Sequence, residues 1–88
     1  MPKGKVTRVL DGDTVKIKSG PYLRLAEVNA PEKHQRRFDD AKQALKKLVM
    51  NKTISYKTVA TDTYGRPVVK IKVGTKSVNS AMKRSGYK

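Results

Sequence analysis

The chain contains no cysteine and no tryptophan, one phenylalanine, one histidine, and only seven aspartates and glutamates. Without cysteine there can be no disulfide, no thiol nucleophile and no Cys-ligated zinc. With so few large aromatics, the core must rest on Val, Leu, Ile and Met. No apolar run approaches the length that spans a bilayer, and Met1-Pro2-Lys3-Gly4-Lys5 lacks the apolar centre of a secretory signal. A complete chain is therefore expected in the cytoplasm, and a processed mature form outside the cell. Eighty-eight residues leave little room for a second core, so residues 1–88 read as a single domain.

What the chain does have is positive charge. Twenty-one lysines and arginines give a formal net charge of +14 and a pI near 10.3. The cations run along the whole length, which favours a folded basic surface over a disordered arm. Such a surface suits a polyanion, first of all nucleic acid. An anionic membrane is a poor fit, because no basic helix carries bulky apolar anchors to spare. A monomer is expected.

Val6 to Leu10 forms a short apolar-rich run that stops at Asp11-Gly12, a hairpin signal. Val15 and Ile17 then alternate with lysines, Ser19-Gly20-Pro21 turns the chain, and Tyr22 to Val28 reads as a third strand. Ala41, Ala44, Leu45, Leu48 and Val49 fall on one helical stripe. Asp40 with Gln43 predicts a capping box at its start, and Asn51 a left-handed stop. Thr53 to Val59 and Val68 to Val73 read as strands four and five, joined through the turn Asp62-Thr63-Tyr64-Gly65. Val78, Ala81 and Met82 suggest a short second helix ended by Gly86. Three meander strands, a helix and two more strands match a five-stranded Greek-key barrel of the OB type, mainly β with α.

Against this basic background the acids stand out. A hard divalent cation wants oxygen ligands. Asp13 offers a carboxylate just past a tight turn, Asn29 an amide oxygen at the end of a strand, and the irregular backbone before Pro31 a carbonyl. Glu32 is placed to orient or deprotonate a water, and Arg24 and Arg66 to clamp a phosphate in its five-coordinate transition state. Each residue also has a plainer reading: Asp11-Gly12-Asp13 as a hairpin turn, Arg24 paired with Glu27, Glu32 and His34 as solvated loop residues. Tyr64, in a turn, is the best candidate for stacking on a base, and Tyr56 for core packing. On these residues alone a non-enzymatic basic OB-like binder ranks first.

A family resemblance reverses that order. Val9 to Ile17 (VLDGDTVKI), Leu23 to Glu32 (LRLAEVNAPE) and Asp62 to Arg66 (DTYGR) resemble the motifs of the staphylococcal nuclease, or thermonuclease, family. Val78-Asn79-Ser80-Ala81-Met82 with Gly86 looks like that family's second helix, so the likeness runs from Val6 to Gly86. It implies an OB-fold nuclease that uses calcium to hydrolyse DNA and RNA, single strands especially, leaving 3′-phosphate ends. On that reading Asp13, Asn29 and the Ala30 carbonyl hold the metal, Arg24, Glu32 and Arg66 are catalytic, and Tyr64 and Thr63 lie beside the nucleotide. Asn29 stands where the family has a second metal-binding aspartate, and Thr63 where a lysine is frequent. The loss of one carboxylate predicts a weak calcium site, tolerance of other divalent ions, or low activity. The alternative is a non-catalytic basic OB-fold nucleic-acid-binding domain.

Overall fold

The computed structural model describes residues 2–18, 20–31 and 35–88. Glu32 and His34, both singled out above, therefore lie outside the described residues, as does Ser19 of the second turn.

The chain runs β1 (Lys3–Asp11), β2 (Thr14–Ile17), β3 (Tyr22–Leu25), α1 (Phe38–Val49), β4 (Thr53–Thr61), β5 (Pro67–Val73), β6 (Lys76–Ser77) and α2 (Val78–Arg84). The strands lie in the order β3-β2-β1-β4-β5-β6, and β3 also pairs with β5, parallel, through Arg24↔Val68 and Leu25↔Val69. That extra pairing closes five strands into the expected OB-like barrel and removes the sheet edges between them. The two-residue β6 was not expected from the sequence and forms a short extension on the rim of β5.

Side chains at alternate strand positions fill the barrel: Val15, Leu23, Leu25, Ile54, Val69 and Ile71 are fully buried or nearly so. α1 sets Ala41, Leu45 and Val49 against them, with Ala44 and Leu48 at the edge of the same stripe. α2 contributes Val78 and Met82. Register shifts interrupt the β1–β2 pairing between Val6 and Arg8 and again between Val9 and Asp11. β1 pairs with β4 through Lys3–Lys5 and with β2 from Val6 to Asp11.

Several boundaries differ from the sequence reading: β1 starts at Lys3, β4 runs on to Thr61 and β5 starts at Pro67, and two further differences have a local cause. The capping box at Asp40 and Gln43 is not formed. α1 begins at Phe38, and its N-cap, Arg37, is left-handed (φ 66°) with no side-chain cap. Asp39 and Asp40 instead sit in the first turn, where negative charge faces the positive end of the helix dipole. The third strand ends at Leu25 instead of running to Val28, because Glu27 takes φ 61° and turns the chain away. Asn51 (φ 62°) and Gly86 (φ 100°) adopt the left-handed stops their positions suggest.

Candidate functional site

The first three strands deliver their chemistry to one end of the barrel. The turn Asp11–Gly12–Asp13 is pressed down there, since a Cβ on Gly12 would lie 2.6 Å from the Cβ atoms of both Ala30 and Ala41. Only glycine permits that approach. It holds Asp13 against the loop that follows β3. The Asp13 amide donates to Asp11 Oδ1 at 3.0 Å, an Asx turn, and its carbonyl accepts from the Leu25 amide at 2.8 Å.

The Asp13 carboxylate is the hub, with its side chain only 15% exposed. Oδ1 accepts from the Thr14 hydroxyl at 3.1 Å and Oδ2 from the Ala30 amide at 3.3 Å. The Arg24 guanidinium lies 3.5 Å from Oδ2. Burial raises the Asp13 pKa, and hydrogen bonding and charge repulsion from Asp11 add to the rise. Arg24 and the Ala30 amide lower it, leaving the group at about 6. Two carboxylates crowded in this way repel each other, and a cation would relieve the repulsion.

Arg24 pairs with Asp13, not with Glu27 as local sequence suggests. The register sets Arg24 opposite Thr14, so the residue before Thr14 comes within reach. Glu27, past its left-handed turn, meets Lys83 of α2 at 3.3 Å instead. Arg24 Nη1 donates to the carbonyls of Leu25 (2.6 Å) and Val28 (2.7 Å), and Nη2 to Asn29 Oδ1 (3.3 Å). One guanidinium nitrogen thus lies between Asp13 Oδ2 and Asn29 Oδ1. These are the two side-chain oxygens assigned to a metal on sequence grounds.

Arg66 enters from the β4–β5 turn. Asp62 organises that turn, accepting from the amides of Tyr64 (2.9 Å) and Arg66 (2.8 Å) and from Arg66 Nε (2.6 Å). Desolvation pushes the Asp62 pKa up, but those donations outweigh it and hold the carboxyl below its ordinary value. Arg66 Nη1 then reaches the Thr14 hydroxyl at 3.4 Å. Since that hydroxyl donates to Asp13, one polar chain joins Arg66, Thr14, Asp13 and Arg24. Tyr64 projects outward, 84% exposed, with the Arg66 guanidinium 5.5 Å from its ring centre. Thr63 is exposed beside it. Tyr56, half-buried, packs against the core.

Sequence reasoning missed three contributors. Thr14 is the buried link between the arginines, and Asp62 is the anchor of Arg66. Asn79 of α2 accepts from the Ile71 amide (2.8 Å) and donates to the carbonyls of Ala26 (2.9 Å) and Val69 (3.1 Å). It ties the end of β3 to β5 just where the chain turns towards Asn29. An asparagine amid the apolar positions of a helix was the available signal.

Asp13, Asn29, Ala30, Arg24 and Arg66 therefore gather at one end of the barrel, with Tyr64 and Thr63 on its rim. The donors are all oxygen, which suits a hard cation. They are few: among the described residues no group of three or more His, Cys, Asp or Glu side chains could hold a metal ion.

The family model of staphylococcal nuclease homologues matches residues 22–88. The chain belongs to this family. It is 32% identical to Protein ParB of Escherichia coli, over 96% of this chain and 54% of that protein. It is 34% identical to an uncharacterized endonuclease of Escherichia coli O157:H7, over 94% of this chain and 57% of that one. A micrococcal nuclease of Shigella flexneri is also 34% identical, over 73% and 38% respectively. The chain spans about half the length, or less, of these relatives.

Proposed function

We propose that the chain is the catalytic barrel of a divalent-cation-dependent nuclease that hydrolyses phosphodiester bonds in DNA and RNA with little sequence selectivity. The observation that carries the proposal is the linked set Arg66–Thr14–Asp13–Arg24, with Asn29 and Ala30 beside it. A solvated pair of surface arginines would not need a buried threonine and a half-buried carboxylate to hold them.

Asp13, Asn29 and the Ala30 carbonyl would hold the cation, calcium in the first instance. When bound, it supplies charge neutralisation and polarisation at the phosphate. One carboxylate with an amide makes a weak site, open to other divalent ions. Arg24 and Arg66 bind phosphate oxygens and offset the negative charge that grows in the transition state. Glu32, three residues past Asn29, orients the attacking water or takes its proton. Tyr64 offers its outer ring face to a base, with Thr63 at the adjoining backbone. Charge and stacking carry the binding and no described residue is placed as a base-edge reader, so DNA and RNA both serve, single strands best.

The test is incubation of labelled single-stranded DNA with the protein in calcium or in chelator. Cleavage in calcium that is lost in chelator and in Glu32→Gln supports the proposal. Salt-sensitive binding without cleavage in any divalent ion overturns it. That outcome would favour a non-catalytic basic binding domain, a reading that the sparse metal-ligating set supports.

A further inference from the structure

The barrel carries a second concentration of charge, on the outer face of β1, β4 and β5. Strand register sets the exposed residues of this face in rows. Lys5 lies opposite Thr53, Lys3 opposite Ser55, Ser55 opposite Lys72, and Lys57 opposite Lys70. Lys3, Lys5, Lys57, Lys70 and Lys72 are all exposed, and among the described residues none of them has an ion-pair partner. The only acid in these three strands is Asp11, at the far end of β1. Lys57 and Lys70 are directly cross-strand, and Arg8 and Lys16 form a second like-charged pair on β1 and β2. Such pairs destabilise a sheet. The ion pairs among the described residues lie elsewhere, at the barrel end and on α2.

We propose that this face is a second nucleic-acid surface, separate from the cleavage site, which holds the sugar-phosphate backbone of a single strand. The proposal rests on the nuclease reading for its purpose, and on charge complementarity for its occupant. Lysines two apart on one strand lie about 6.7 Å apart, and neighbouring rows are bridged by hydroxyls such as Ser55. This makes a grid of cations and hydrogen-bond donors free of repelling carboxylates. The face also leads to the site. From Lys70 the β4–β5 hairpin runs about 13 Å to Arg66, passing Pro67 and the rim that carries Tyr64. A strand gripped by the lysines is delivered to the arginines, so a long substrate binds better than a short one.

The test is binding of a fluorescent oligothymidylate of about sixteen nucleotides, in chelator, across salt from roughly 50 to 200 mM. It compares the wild type with Lys57→Gln/Lys70→Gln/Lys72→Gln. The salt slope of log K should fall by about 2 in the triple variant, about 0.7 for each released phosphate contact. The arginine replacements at the same positions should restore it. Neutralising Lys42, Lys46 and Lys47 on α1 should change the slope much less. An unchanged slope in the first variant, or equal losses in both triple variants, overturns the proposal. So does selective loss of binding to anionic phosphatidylserine vesicles with DNA binding intact. Folding is checked by thermal melting, and relief of like-charge repulsion favours the variant. Because binding is read without cleavage, a protein that never cuts but shows the slope change fails the nuclease reading alone. A protein that cuts in calcium without the slope change fails this proposal alone.

Discussion

The barrel end and the outer face of β1, β4 and β5 carry the same sign of charge in opposite ways. At the end, each arginine is fixed. Arg24 is spread over two carbonyls, an amide oxygen and a carboxylate, and Arg66 is held by Asp62 and Thr14. On the face, the lysines have no ion-pair partner among the described residues and are even opposed to one another. Fixed, forked guanidinium groups suit a transition state whose geometry is demanding, and flexible ammonium side chains suit a backbone that only has to be held. On the proposed reading the difference separates chemistry from grip, and each half can be removed on its own.

The largest expected effect is at the fixed end. If Arg24 binds the phosphate as proposed, Arg24→Ala should lower single-turnover cleavage by roughly 100- to 1000-fold. Its affinity for the oligonucleotide should change much less if the lysine face supplies most of the grip, as proposed.

Asp13→Asn comes next, and it should act on activity and stability in opposite directions. Cleavage and cation binding should be lost. In the wild type the folded-state pKa of about 6 lies above the ordinary 3.8, so the folded protein binds the extra proton between these values. Stability therefore falls as pH rises through that window, and the cost is complete above it. The asparagine variant should lose this slope and gain on the order of 1 kcal/mol at neutral pH, allowing for solvent screening at a partly exposed group. Thermal melting from about pH 4 to 7 reads both effects.

Much of this end was legible in the chain. Asp13, Asn29, Arg24 and Arg66 were singled out because three motifs, each weak alone, stand in one family's order, and α1 because its apolar stripe is regular. The β3–β5 closure was accessible only through the order of elements, since a parallel contact between distant strands leaves no local mark. The Arg24–Asp13 pair was hidden for a related reason. Local spacing favours Glu27, but strand register decides, and the left-handed Glu27 removes it. Likewise Asp39 and Asp40 signal a helix start without fixing which residue caps it.

Smaller effects sharpen the metal and the face. Asn29→Asp should raise calcium affinity by on the order of tenfold if Asn29 is a ligand, since one more carboxylate would face the cation. Calorimetric titration reads this directly, and an unchanged affinity would remove Asn29 from the donor set. Lys70→Gln should stabilise the fold by about 0.2–1 kcal/mol by ending its opposition to Lys57. That is a small upward shift in Tm, largest at low salt.

The separation of chemistry from grip is tested most directly by one comparison. Single-turnover cleavage of saturating single-stranded DNA in calcium is measured for Arg24→Ala and for Lys57→Gln/Lys70→Gln/Lys72→Gln. We expect a loss of at least about 100-fold in the first and a rate close to wild type in the second. Equal losses in the two variants, or an unchanged rate in Arg24→Ala, would contradict it.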